Sequence, residues 1–322
     1  MSKLAKRLFL LGLLFFLAAQ TNAEATAIES IKGFTNSFKS GGGYLDVGVR
    51  TGYISGQNTY DLAHGISELE FPLRAYLGGG NLSLGYKDLS INAQAWGSLS
   101  DDPSSGMHMK DKDWTNGQTY SDTKAMADSN TVIWDANMRY NFLRYAVGQK
   151  KINQEDRAAD NLKLGVLLGY RYERFGYKGH GLYQTSGNGE DAYSDRVLVT
   201  EYKIKYRLPY YGMALDVQNA KFGVLINAKY AFQPYAKDYD NHALRNPPLH
   251  FFSKYNKNGN VFLGDCTFLW KFYKGWVASL GADAALIRIN GVTWEEYDLD
   301  PRADVSVDSK SFIYWMGLGY KF

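Results

Sequence analysis

The sequence predicts an all-β protein, a ten-stranded antiparallel transmembrane β-barrel of the outer membrane. Three observations carry that expectation: an export signal at the N-terminus, apolar alternation with a period of two, and an apolar stripe ending on the last residue. Alternation places successive side chains on opposite faces of a strand, as a wall between lipid and lumen requires.

The chain opens with Lys3, Lys6 and Arg7, then the apolar run Leu8 to Ala19, then Thr21-Asn22-Ala23 ahead of Glu24. That is the pattern of a secretory signal peptide, residues 1–23, and its apolar run is short of the roughly 18 residues a spanning helix needs. A retained anchor is the alternative. Residues 24–322 are expected to form the barrel, with outer loops that carry the candidate site. The chain holds 25 Tyr, 17 Phe, 7 Trp and 33 Gly against 7 Pro, a balance that suits strands, tight turns and aromatic girdles. A single cysteine, Cys266, excludes an internal disulfide framework, and a net charge of +3 without a basic run gives no support for nucleic acid.

A polar lead, Glu24 to Ser40, and the glycines 41–43 precede the first strand. Ten strands are expected at about 44–60, 66–86, 89–100, 129–142, 162–179, 195–215, 221–237, 251–270, 276–295 and 310–322. In the third, Leu89, Ile91, Ala93 and Ala95 oppose Ser90, Asn92, Gln94 and Trp96. In the sixth, Tyr202, Ile204, Tyr206 and Leu208 oppose Glu201, Lys203, Lys205 and Arg207, and the charged side is expected to line and plug the lumen. In the seventh, Phe222, Val224, Ile226, Ala228, Tyr230 and Phe232 oppose Gly223, Asn227 and Lys229. The last strand carries Phe312, Tyr314, Met316, Leu318, Tyr320 and Phe322 on one side. An even count puts both termini at the periplasmic side. Lys87-Asp88 and Lys274-Gly275 are then inner turns, 143–161 is a longer inner connection, and 101–128, 180–194, 238–250 and 296–309 are outer loops.

Two outer loops repeat one device. Asp111 and Asp113 stand at i and i+2, and so do Asp240 and His242. In extended backbone each pair shares a face. Asp240 can orient His242 as a general base for water, while two close carboxylates share a proton because both cannot ionise freely. No serine or cysteine nucleophile is needed. His64, His108, His180 and His250 show no metal-ligand spacing and are expected in loops; His108, near Asp111, is the rival to His242.

At these residues the chain resembles the omptins, outer-membrane endopeptidases of Gram-negative bacteria. The likeness runs from about residue 46 to the end. It rests on Ser67-Glu68-Leu69-Glu70-Phe71, Ala95-Trp96-Gly97-Ser98-Leu99, Asp111-Lys112-Asp113-Trp114, Tyr120-Ser121-Asp122, Leu168-Gly169-Tyr170, Tyr202 to Gly212 and Asp238-x-Asp240-x-His242. The resemblance implies a catalytic quartet at Asp111, Asp113, Asp240 and His242, cleavage beside basic residues, and no metal. It places substrate-binding acids at Asp238 and Asp122. A further pocket acid of the family falls on Tyr60, with Asp61 beside it, which weakens the expected basic preference. The family also needs lipopolysaccharide on its outer wall. Here the stripe Leu164, Val166, Leu168, Tyr170, Tyr172 and Arg174 is expected to face lipid, which lifts Arg174 to headgroup level above the two tyrosines. Arg174 and Tyr170 are thus the expected lipopolysaccharide contacts; a snorkelling interfacial Arg174 is the alternative. A second basic position falls on Lys205, which the expected alternation turns into the lumen.

The expectation is thus a monomeric endopeptidase in the outer membrane of a Gram-negative bacterium, its site facing outside. Its partners would be basic peptides, membrane lipid and lipopolysaccharide as activator. The alternative is a non-enzymatic barrel, a small pore or an adhesin. Ten strands leave little room for a channel, since eight nearly fill their interior and porins use sixteen or more.

Overall fold

The computed structural model describes residues 43–62, 67–101, 106–112, 119–147, 160–186, 189–192, 198–243, 249–295 and 298–322. Among the described residues every regular element is a strand. In chain order these are β1 (Gly43–Leu62), β2 (Ser67–Tyr86), β3 (Leu89–Asp101), β4 (Gly106–Lys112), β5 (Thr119–Val147), β6 (Asp160–Ser186), β7 (Gly189–Ala192), β8 (Leu198–Gln218), β9 (Phe222–Ala231), β10 (Tyr235–His242), β11 (Leu249–Tyr273), β12 (Trp276–Glu295) and β13 (Asp298–Lys321).

All neighbours pair antiparallel, and β1 pairs both β2 and β13, so the sheet closes on itself. Three staves are each interrupted once. β3 and β4 both pair β2 and β5; β7 and β8 both pair β6; β9 and β10 both pair β8 and β11. Thirteen strands therefore form ten staves, the expected number. In β9–β10 the break is Phe232-Gln233-Pro234, where Gln233 has φ 47° and Pro234 has no N–H to give the ladder.

The staves are longer than expected. Much of the expected outer loops is strand: β4 and the start of β5 in 101–128, the end of β6 in 180–194, β10 in 238–250 and the start of β13 in 296–309. Lys87-Asp88 and Lys274-Gly275 are tight turns as expected, with left-handed backbone at Lys87 and Gly275. Residues 148–159 of the expected inner connection lie outside the described residues, as do the expected signal segment and the polar lead.

A belt of large apolar side chains covers the outside, among them Val49, Ile91, Trp134, Met138, Val166, Leu168, Tyr211, Met213, Phe262, Phe268, Leu280 and Met316. The C-terminal stripe Phe312, Tyr314, Met316 and Leu318 belongs to it. So broad an exposed apolar band is that of a barrel in lipid.

Inside, polarity changes along the axis. Near the tight turns a cavity of about 200 Å³ is lined by polar groups such as Asn92, Gln94, Asn137 and Asn227. At mid-height buried ions fill the lumen. Arg171 Nε reaches Glu173 Oε1 at 2.6 Å and its Nη1 reaches both Asp283 oxygens at 2.8 and 3.0 Å. Lys229 Nζ stands 2.9 Å from both Asp135 and Asp265. Beyond them the interior is an aromatic core of Phe71, Phe175, Tyr177, Tyr202, Tyr206 and Tyr255.

This arrangement corrects the expectation for the sixth strand. Tyr202, Ile204, Tyr206 and Leu208 point inward and are buried, whereas Lys205 and Arg207 are exposed on the outer wall. Lys203 and Glu201 share that outer face and form an ion pair at 3.6 Å. The β6–β8 register runs unbroken from Gly179↔Thr200 to Asn161↔Gln218, so no residue changes side. What changes is the solvent. Tyr211 and Met213 meet lipid, but farther along the same outer face meets water, and the apolar parity moves to the inside.

Candidate active site at the far rim

The β3–β4 and β9–β10 staves run the same way from the tight turns, so β4 and β10 end at the same rim of the barrel. Asp111 lies on β4, registered against Ser67 of β2, two residues from the inward, buried Leu69. Asp238 and Asp240 lie on β10, both buried and both inward, and His242 is the next residue of that parity. Asp111, Asp122, Asp238, Asp240 and His242, expected in loops, are therefore strand positions. Asp113 lies outside the described residues, as do the side chains of Asp111, Asp122 and His242. Asp122 pairs Lys110 and Thr185, on the parity opposite to Asp111 and Ser121. The register thus does not bring Asp122 onto the face of the other candidates.

Asp240 accepts a hydrogen bond from Thr200 Oγ1 at 3.1 Å, and that hydroxyl also reaches the Asn241 carbonyl at 3.0 Å. Asp238 sits in an aromatic box above the apolar belt. The Tyr202 and Tyr255 hydroxyls both donate to its Oδ2, at 2.9 and 2.5 Å. Burial pushes the Asp238 carboxyl up to about 6, against the pull of the surrounding hydroxyls, and the charge of Asp240 adds to the rise. Burial likewise pushes the Tyr202 and Tyr255 phenols well up, so both remain donors.

Tyr60 completes the box. It is inward and buried, edge-on to Tyr202 with ring centroids 6.2 Å apart. β1 is in continuous register with β2 and β13 through Leu62, so Asp61 stays on the opposite parity and does not replace the missing acid. Phe71 stacks on Tyr202 at 4.5 Å and Tyr177 on Phe71 at 4.7 Å, which fixes the floor. Tyr202, Tyr255 and Thr200 escaped the sequence reading. Their signal was parity, since Thr200 and Tyr202 share one face of β8, but only the register shows them meeting β10.

On the outer wall, Arg174 follows Tyr170 and Tyr172, both stacked on Trp134 at 5.2 and 5.8 Å. Its Nη2 donates to Asn130 Oδ1 at 2.8 Å. Arg174 is registered against Lys205, Lys205 against Lys237, and Lys237 against Lys254. Four cations therefore form one row across β6, β8, β10 and β11. The expected inward turn of Lys205 is corrected here: it is a cross-strand neighbour of Arg174. Like charges set directly opposite destabilise a sheet, so such a row suits an anionic ligand.

His108, His180 and His250 are strand residues rather than loop residues. His180 lies 3.4 Å from Asp128, and His250 packs edge-on against Tyr239. His64 lies outside the described residues.

A closed antiparallel barrel with this outer belt is an outer-membrane β-barrel. Within that class, the sequence profile of the Omptin family matches residues 47–305, and the chain belongs to that family. In structure it is similar to the outer membrane protease OmpT from Escherichia coli. The TM-score is 0.72 over 87% of this chain and 97% of that one, and 16% identity makes the likeness one of fold alone. Likeness to the outer membrane protein OprG from Pseudomonas aeruginosa is slight, with a TM-score of 0.35 at 11% identity over 86% of this chain and 95% of that one. The toluene transporter TodX of P. putida gives 0.24 at 8% identity over 87% and 90%, and neither of these two carries an argument. No curated protein matches the chain in sequence. Family membership and fold together place the chain among the outer-membrane β-barrels of the Omptin family.

Proposed function

We propose that the protein is an endopeptidase that cleaves extracellular peptides beside basic residues, with Asp111, Asp113, Asp240 and His242 as its catalytic residues. His242, oriented by Asp240, takes a proton from water. The water oxygen attacks the scissile carbonyl carbon, and the Asp111/Asp113 pair stabilises the oxyanion and delivers a proton to the departing amine. The C–N bond breaks as a C–O bond forms, with no covalent enzyme intermediate. General base catalysis of this kind is worth about 10²–10⁴ in rate. Asp238, two residues from Asp240 on the same face of β10, draws in the basic side chain of the substrate. Asp122, on the other face by register, adds only to the negative field at the rim.

The observation that supports this best is the inward, buried pair Asp238/Asp240 on β10, at the same rim as Asp111 on β4. The site faces outside because the tight turns belong on the periplasmic side. Lipopolysaccharide is the proposed activator, its phosphates held by Arg174 and Lys205 and its sugars or acyl chains packed by Tyr170. The ion clusters and aromatic core that fill the lumen weigh against the pore reading. The test is hydrolysis of a dibasic peptide by the purified barrel in lipid, compared with Asp111→Asn, Asp113→Asn, Asp240→Asn and His242→Ala. Each substitution is expected to lower kcat by at least about 10², and full activity in any one removes that residue from the mechanism.

A further inference from the structure

Asp238 has two carboxylate oxygens in unequal positions. Oδ2 already accepts from both Tyr202 and Tyr255. Oδ1 is buried and makes no hydrogen bond of ordinary geometry among the described residues; the Ser253 hydroxyl, close enough to hold the carboxyl's pKa down, donates to Thr293 Oγ1 at 3.1 Å. The wall of the box nearest β1 is Tyr60, 7% exposed, a ring where a second carboxylate would double the charge. Electrostatics link Tyr60 to both Asp238 and Asp240, so its phenol borders the two acids.

From this geometry we infer that the Asp238 pocket selects a lysine side chain over arginine, with Tyr60 as the residue that sets the choice. The inference rests on the endopeptidase reading above and adds the substrate class. A guanidinium binds carboxylates best through two parallel N–H···O bonds. Here a single oxygen is free, so arginine can make one such bond and leaves its other donors buried against tyrosine rings. An ammonium is a compact charge on a slim stem and needs no fork. One free oxygen satisfies one of its donors, and the ring of Tyr60 can offer cation–π contact to the rest. Tyr60, Tyr202 and Tyr255 are all buried, so an entering side chain must displace Tyr60, and a four-carbon stem displaces less of it than a planar fork does. The aromatic floor under Tyr202, fixed by Phe71 and Tyr177, prevents the pocket from widening in that direction.

The experiment uses the full-length barrel in lipid and three internally quenched peptides that differ only in Lys, Arg or Gln before the scissile bond. The lysine peptide is expected to show a kcat/KM about tenfold above the arginine peptide, the scale of one lost charge-assisted hydrogen bond. Tyr60→Glu, which supplies a second carboxylate, is expected to erase or reverse that ratio. Asp238→Asn should bring the lysine peptide down to the level of the glutamine peptide. Arginine equal to or better than lysine in the unmodified protein overturns the inference, and so does a glutamine peptide cleaved as well as the lysine one. In both cases the endopeptidase reading survives. A barrel that migrates as folded on a gel yet cleaves none of the three peptides sinks that reading and the inference with it.

Discussion

Arg171 offers the sharpest test of how the lumen is held. Its side chain is 1% exposed, and it bridges Glu173 and Asp283, which are 0% and 4% exposed. Arg171→Met keeps the volume but leaves two buried carboxylates without the cation between them. Breaking a buried pair by removing one partner typically costs about 3–5 kcal/mol, or roughly 10²–10⁴ in the folding equilibrium. Uptake of a proton by one of the two acids limits the loss to that range rather than to the far larger cost of an isolated buried charge. The companion variant, Arg171→Met with Glu173→Leu and Asp283→Asn, removes the charges together and is expected to recover most of the loss. Urea unfolding in lipid vesicles, followed by tryptophan fluorescence and gel mobility, measures both. A loss below about 1 kcal/mol for Arg171→Met, or a triple variant no better than the single, refutes the reasoning.

Asp238 gives a pH signature. Its folded-state value of about 6 lies above the ordinary carboxyl range, so the folded barrel holds the proton more tightly and loses stability as pH rises toward and through 6. Tyr60, Tyr202, Tyr255 and Asp240 are the titratable groups facing it, and the phenols stay neutral through that window. Asp238→Asn is therefore expected to stabilise the barrel above pH 6 by up to ~3 kcal/mol, read by urea unfolding at pH 5 and pH 8; a variant less stable at pH 8 contradicts this. In the same window, cleavage of the lysine peptide should fall relative to the glutamine peptide as pH drops below 6. At the closing seam, a Cβ on Gly56 would lie 2.0 Å from the Lys310 carbonyl oxygen, so Gly56→Val should cost about 1–3 kcal/mol or more in the same unfolding assay. On the outer wall, Arg174→Ala and Lys205→Ala should each raise the lipopolysaccharide concentration needed for half-maximal cleavage, and unchanged activation curves remove that row from the account.

The stave count and the lipid stripes were legible because alternation survives wherever one face meets lipid. Leu89 to Ala95, Phe222 to Phe232 and the C-terminal stripe all face outward as expected. The sixth strand misled for a physical reason. Its apolar residues shift from even positions at Tyr202–Leu208 to odd ones at Tyr211–Val217, and that change of parity marks where lipid gives way to water. Taken as a single face, it turned Lys205 inward and hid its pairing with Arg174. The staves above the belt likewise read as loops in sequence, because stretches such as Asp238 to His242 carry no apolar outer face to mark them as strand. The acid–imidazole spacing on β10 was legible at once, since i and i+2 need only extended backbone. The aromatic box around Asp238 was not, because Tyr255 meets it only through the register of β10 with β11, and Tyr60 reaches it from a strand far away in sequence.

The central claim is that an imidazole at the far rim activates water for peptide hydrolysis outside the cell. Its most direct test is a fluorogenic dibasic peptide, too polar to cross the membrane, offered to intact cells that display either the unmodified barrel or His242→Ala. Rapid cleavage by the first is expected, with a drop of at least about 10² in the second at equal surface amounts of folded barrel. Equal cleavage by both, or cleavage only after the cells are broken open, contradicts it.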